Sequence, residues 1–271
     1  MENIKKILLF LFVLALLSSC IDNAKTSKYQ TKRNNVLNIR DKIKEIKIEN
    51  PLIGQHVRMF TINDYLIIAD SRSVDKMIYV FDKNSFNYIT SIGDRGQGPY
   101  EITLMGHITP DEEKRMFYVT DHGKLLIYSY ALDSVLTNPM YKPMVKMKMN
   151  NVQFPESYTY INDTLSIGVT VIPTSISTFD QAASRWNMNN GEIVNMKYSN
   201  PKATPKRLHV AVDVEDSIYV ECYYNYDLMT ICSLDGDLKY NIYGPEWDQQ
   251  TLGNIFYFGE AIIYHNQIIA S

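Results

Sequence analysis

The sequence predicts an all-β chain made of antiparallel four-stranded units stacked around an axis. Three observations lead there. The chain carries twenty tyrosines together with many Ile, Val and Thr, the side chains that suit a pleated, half-buried surface. Beyond the amino-terminal segment it shows no long amphipathic helical pattern. A polar turn following an apolar run recurs four times, at Asp82-Lys83-Asn84-Ser85, Ala131-Leu132-Asp133-Ser134, Met188-Asn189-Asn190-Gly191 and Ser233-Leu234-Asp235-Gly236. Those turns start 49, 57 and 45 residues apart. A period of about 40 to 50 residues holding several short strands is the signature of a β-propeller.

The first element is an export signal. Lys5 and Lys6 precede an apolar run from Ile7 to Leu17, and Ser18 and Ser19 follow, the three-part layout of a secretory signal. The run is too short to span a hydrocarbon core as a helix, which takes about 20 residues. Leu17-Ser18-Ser19-Cys20 resembles the lipobox of bacterial lipoproteins, which implies that Cys20 is lipidated and becomes the new amino terminus. The expected division is therefore a signal peptide over 1–19, a lipidated Cys20 with a flexible tether over 20–43, and a propeller over 44–271. The tether is expected because Ile21 to Arg40 is polar and basic, with Asp22 its single acid, and cannot bury enough apolar surface to fold.

Removal of the signal moves the formal charge from -3 to -4. A mildly acidic chain of this kind has no electrostatic footprint for nucleic acid. No cofactor is expected.

Within the units, strand-like runs follow one order. Leu66–Ala69 leads to Met77–Phe81 and then Asn87–Ile92. Met116–Thr120 leads through Asp121-His122-Gly123 to Leu125–Tyr130, and Ser217–Tyr224 leads through Asn225-Tyr226 to Leu228–Cys232. Alternation at Leu165, Ile167 and Val169, and at Val210, Val212 and Val214, places each set on one face. The third unit departs from the pattern. Between Val171 and Ser184 it carries an aperiodic insert in which Pro173 is read as a strand breaker, a candidate binding loop.

The segment Ile92-Gly93-Asp94-Arg95-Gly96-Gln97-Gly98-Pro99-Tyr100-Glu101-Ile102 resembles the glycine-rich crossover of the TolB-like six-bladed β-propeller lipoproteins of Bacteroidetes, relatives of NHL-repeat propellers. Ala69-Asp70 and Thr120-Asp121 resemble the Val-Ala-Asp of the same repeats. Tyr100 and Ile102 depart from the usual glycine and phenylalanine. The resemblance implies blades packed about a central channel, with Gly96 and Gly98 allowing positive φ in the crossover. It also implies a binding or scaffolding role at the cell envelope, with a lipid anchor in the outer membrane and a protein, peptide or glycan as partner. Six blades need roughly 300 residues, whereas Lys44 to Ser271 supplies 228. The expectation is four blades and part of a fifth, an open or shortened ring, with Ile43–Ile48 the candidate closing strand. A truncated copy without independent function is a further alternative.

Candidate site residues follow from residue type. His107 falls on an expected inner strand and Trp186, Tyr223 and Tyr224 offer stacking surfaces, so these four are candidate ligand contacts. Asp70 and Asp121 occupy matching places and are weak metal candidates, as in lactonase-type propellers, which makes a metal-dependent hydrolase the rival to binding. Their alternative role is to accept backbone amides of the following turns. No histidine pair has metal-ligand spacing and no serine sits in a Gly-x-Ser-x-Gly elbow, so catalysis has little support. Cys222 and Cys232 are a candidate disulfide. A three-residue loop at Tyr226, Asp227 and Leu228 would set them opposite each other, whereas a two-residue Asn225-Tyr226 turn would put them on different faces.

Overall fold

The structure is a computed structural model that describes residues 25–33, 35–248 and 256–271. The expected signal peptide and Cys20 lie outside the described residues. Among the described residues no helix is long and apolar enough to cross a membrane.

Four antiparallel four-stranded sheets follow one another along the chain, each a simple meander. The first comprises β2 (Val57–Ile62), β3 (Tyr65–Asp70), β4 (Lys76–Asp82) and β5 (Tyr88–Asp94). The second comprises β6 (Met105–Asp111), β7 (Met116–Asp121), β8 (Leu126–Ala131) and β9 (Met144–Lys148). The third comprises β10 (Phe154–Asn162), β11 (Leu165–Pro173), β12 (Phe179–Trp186) and β13 (Ile193–Asn195). The fourth comprises β14 (Leu208–Asp213), β15 (Ile218–Tyr223), β16 (Leu228–Ser233) and β17 (Leu238–Tyr243). A hairpin of β18 (Ala261–Tyr264) and β19 (Gln267–Ala270) forms a fifth sheet, of two strands among the described residues.

Period-2 alternation leaves both faces of each sheet partly apolar, and face-to-face stacking removes those faces from water. The buried clusters accordingly lie between consecutive sheets. One joins Ile67, Val80 and Ile92 of the first sheet to Phe117, Tyr128 and Tyr130 of the second. Another joins Tyr118 and Ile127 of the second to Tyr158 and Trp186 of the third. Ile167 and Val169 of the third meet Tyr219 and Tyr223 of the fourth, and Val220 and Cys222 meet Ala261 of the fifth. Each fully buried Ile, Val or Phe in these seams contributes about 1.5 to 3 kcal/mol.

The crossover between the first two sheets is built as a carboxylate-centred turn. Glu101 Oε2 accepts the Gly98 amide at 2.7 Å. A Cβ on Gly96 would lie 2.0 Å from that same oxygen. A larger residue at this position would push the Glu101 carboxylate away from the Gly98 amide. The expected positive φ occurs instead at Gly93, at 78°. Ile102 leaves the turn fully buried.

Four readings of the sequence need correction. The third unit's insert is a regular hairpin, with β11 and β12 paired out to Pro173 opposite Phe179; Pro173 ends the ladder, where a missing N–H costs nothing. The turn after Ala131 is a short helix, α1 (Leu132–Thr137), because Leu132 and Val135 at i and i+3 are both buried. Ile43–Ile48 forms no strand; Ile48 packs with Ile53 against Ile68, Tyr79 and Phe81 on the outward face of the first sheet. The tether reading also fails in part. Residues Ser27–Tyr29 form β1, which adds to the outer edge of the fourth sheet in parallel with β17. An unpaired edge strand accepts any extended chain through its backbone groups, so low apolar content does not prevent the pairing.

Candidate functional site: the axial cavity

The first strand of every sheet contributes to a central cavity of about 860 Å³ that is half open to solvent. That volume falls within the range of small-ligand sites. Its walls come from all five sheets: Arg58 and Phe60 on β2, His107 on β6, Glu156 on β10, Gln181 on β12, His209 on β14, and Glu260 and Ala261 at β18. Arg207 and Tyr224 stand beside the fourth sheet's contribution.

These side chains are held in place by neighbours. His107 Nε2 is 2.9 Å from the Tyr158 carbonyl, so its Nε2–H donates and Nδ1 is left as an acceptor. Phe60 meets the imidazole edge-on, with ring centroids 5.3 Å apart. Burial holds the His107 pKa down at about 3, and the positive charge of Arg58 adds to the depression. His209 is lowered by the same cause, burial, against the opposing pull of Glu260. Both imidazoles are therefore neutral lining groups near neutral pH. Gln181 bridges two sheets: its Nε2 donates to Glu156 Oε2 at 2.5 Å and its Oε1 accepts the Leu208 amide at 3.0 Å. At the rim, Tyr224 lies against Phe256 with centroids 4.3 Å apart, and the Arg207 guanidinium sits 4.1 Å over the Phe179 ring. The cavity thus offers donors and acceptors of both signs beside aromatic faces, an arrangement that binds polar organic molecules.

Of the four candidate ligand contacts, His107 and Tyr224 line this cavity. Trp186 and Tyr223 do not. Trp186 is 2% exposed and packs edge-on against Tyr158, and Tyr223 is fully buried with its hydroxyl donating to Glu221. Large rings at sheet seams are core before they are platforms.

Asp70 and Asp121 are buried and committed to backbone. Asp70 accepts the amides of Gly54 and Arg72 at 2.8 and 3.0 Å. Asp121 accepts those of Thr103, Leu104 and Gly123 at 2.9, 3.0 and 2.9 Å, and of Lys124 at 3.3 Å. Each carboxylate ends the second strand of its sheet and clasps the segment that enters the same sheet. The matching places in the third and fourth sheets are Val171, opposite Phe154, and Tyr223, opposite Leu208. Among the described residues no three His, Cys, Asp or Glu side chains converge closely enough to hold a metal ion.

Cys222 and Cys232 are free thiols. The ladder pairs Cys222 with Met229 and Cys232 with Tyr219, the register of the two-residue turn, so the cysteines sit on opposite faces of the sheet. Cys222 faces the fifth sheet and Cys232 the third. Burial pushes the two thiols up to about 12 and about 11.

Stacked four-stranded meanders whose inner strands line an axial cavity define a β-propeller. The chain belongs to the DUF5128 family, described as a 6-bladed beta-propeller, whose profile matches residues 48–231. Among solved structures, a member of the duf4221 family from Bacteroides vulgatus is 14% identical with a TM-score of 0.50, over 74% of this chain and 60% of that one. The nidogen/laminin complex gives 10% identity and a TM-score of 0.49 over 77% and 67%. A protein from Bacteroides fragilis gives 14% and 0.43 over 81% and 60%. The chain thus spans about three fifths to two thirds of the length of these structures. No curated protein matches it.

Proposed function

We propose that this protein is a TolB-like envelope lipoprotein of Bacteroidetes, with a signal peptide over 1–19 and a lipid on Cys20 in the outer membrane. Its propeller binds a protein, peptide or glycan in the axial cavity rather than catalysing a reaction. One observation carries the binding reading: five sheets place Arg58, His107, Glu156, Gln181, His209 and Glu260 around a single cavity of about 860 Å³. Polar side chains held by neighbouring sheets are already oriented for a ligand, which lowers the ordering cost of binding.

The test uses the soluble Cys20→Ala chain on arrays of glycans and peptides. A ligand found there loses affinity by about tenfold or more in Tyr224→Ala, the loss of one well-packed contact. Ligands whose binding is unchanged in both Tyr224→Ala and His107→Ala overturn the axial site. The anchor is tested separately by fractionating cells that express the full chain. The parent partitions with membranes and Cys20→Ala does not; an alanine variant that stays fully membrane-bound refutes lipidation.

A further inference from the structure

The segment that follows the lipidation site does not hang free of the propeller. Ser27, Lys28 and Tyr29 pair with Asn241, Ile242 and Tyr243 of β17, and the Gln30 amide continues the ladder to the Tyr243 carbonyl at 2.8 Å. Tyr29 stacks on Tyr243 with centroids 4.8 Å apart and 13° between planes. Arg33 closes the strap. Its guanidinium donates to Asp227 Oδ1 at 2.5 Å, and that carboxylate is 2% exposed; the same guanidinium lies 5.3 Å from the Phe258 ring centroid. Asp227 Oδ2 also accepts the Glu246 amide at 3.1 Å, so the carboxylate keeps one partner without Arg33, and the ion pair adds to the ladder and the ring stack in holding the strap.

This docking shortens the leash. Six residues lie between Cys20 and Ser27, and the seven steps span at most about 25 Å, whereas residues 20–43 stretched out would allow about 80 Å. A propeller domain of this size is about 45 Å across. The strap is also basic: Lys25, Lys28, Lys32 and Arg33 lie in it with no acid between them. Lys25, Lys28 and Lys32 are exposed, the disposition that attracts an anionic lipid surface.

We infer that β1 and the outer edge of the fourth sheet form a membrane-facing rim, seated on anionic headgroups and fixed there by the short link to Cys20. The inference rests on the lipidation of Cys20 proposed above. It sets the propeller on its side, so that the cavity mouths open along the membrane and neither is pressed against it.

The experiment places a fluorophore at Lys239→Cys, exposed on β17, or at Ile89→Cys, exposed on β5 of the first sheet. Cys222 and Cys232 are fully buried and do not compete for label. The lipidated full chain is reconstituted in vesicles of phosphatidylethanolamine and phosphatidylglycerol carrying a headgroup quencher, and flotation reports binding. The expected result is several-fold stronger quenching at position 239 than at 89, and loss of that contrast in a Tyr29→Ala/Arg33→Ala variant that still floats and keeps its near-ultraviolet circular dichroism. Equal quenching at both positions in floating protein overturns the rim and leaves lipidation standing. A contrast unchanged by the double substitution overturns the role of the strap. Failure of the parent to float removes the anchor, and the rim with it.

Discussion

Replacing Asp121 by alanine removes the acceptor for four backbone amides, three of them at 3.0 Å or less. The residue is fully buried, so water does not readily replace the carboxylate. Hydrogen bonds to a charged acceptor contribute about 1.5 to 3 kcal/mol each, and a truncated site recovers part of that by relaxation, which gives a net loss of about 4 kcal/mol. Asp70 accepts two amides, and the same reasoning gives about 2 kcal/mol for Asp70→Ala. Asp121→Asn keeps Oδ1 and its three partners but turns an amide group toward the Thr103 N–H, a loss of about 1 to 2 kcal/mol. Urea unfolding followed through the fluorescence of Trp186, at the seam of the second and third sheets, measures all three. The order expected is Asp121→Ala, then Asp70→Ala, then Asp121→Asn close behind. An Asp121→Ala protein within about 1 kcal/mol of the parent, or an asparagine variant as damaged as the alanine one, refutes the account of these residues as amide clasps.

Three further outcomes follow from the same structure. A Cβ on Gly168 would lie 2.2 Å from the Ser157 carbonyl oxygen and 2.5 Å from Tyr158 Cα, so Gly168→Ala costs about 3 kcal/mol or more and a normal urea midpoint would contradict the spacing of β10 and β11. His107 has a folded pKa of about 3 against an ordinary 6.5, so the unfolded chain takes up its proton first. Stability from this group is full above the ordinary value and is lost as pH falls from there toward the folded one. His107→Phe flattens that part of the pH profile, and a profile identical to the parent's would be inconsistent with an imidazole held neutral in the folded chain. In the Cys20→Ala chain, Cys222 and Cys232 resist a thiol reagent in the native state and both react in urea without reductant; a denatured chain with no free thiol would restore the disulfide.

Sheet order and most strands were legible in the amino-acid pattern because alternation and turn chemistry agree there. Leu66–Ala69, Met116–Thr120 and Leu228–Cys232 fall inside β3, β7 and β16. β12 escaped because Gln181, Ala182, Ala183 and Ser184 carry little apolar signal, and their strand state is imposed by pairing with β11. β1 escaped because edge pairing uses main-chain groups that no composition reveals. The cavity was only half visible. Trp186 and Tyr223 drew attention by ring size, whereas Arg58, Glu156 and His209 did not, being ordinary polar residues singly. Aligned as inner strands, however, Arg58, His107, Glu156 and His209 stand second or third in β2, β6, β10 and β14. A polar residue recurring there, in strands otherwise rich in apolar side chains, is the signal that alignment of the units would have given.

A cavity lined at once by Arg58 and Glu260 has a thermodynamic corollary. A molecule that touches both tethers the first sheet to the last, across some two hundred residues of intervening chain. It acts as a removable crosslink, and its saturation adds RT ln(1 + [L]/Kd) to the stability of the whole array. Occupancy would then be readable far from the axis, in the hydrogen exchange of rim strands that never contact the ligand. Hydrogen exchange in β5 and β17 with and without ligand would measure that crosslink.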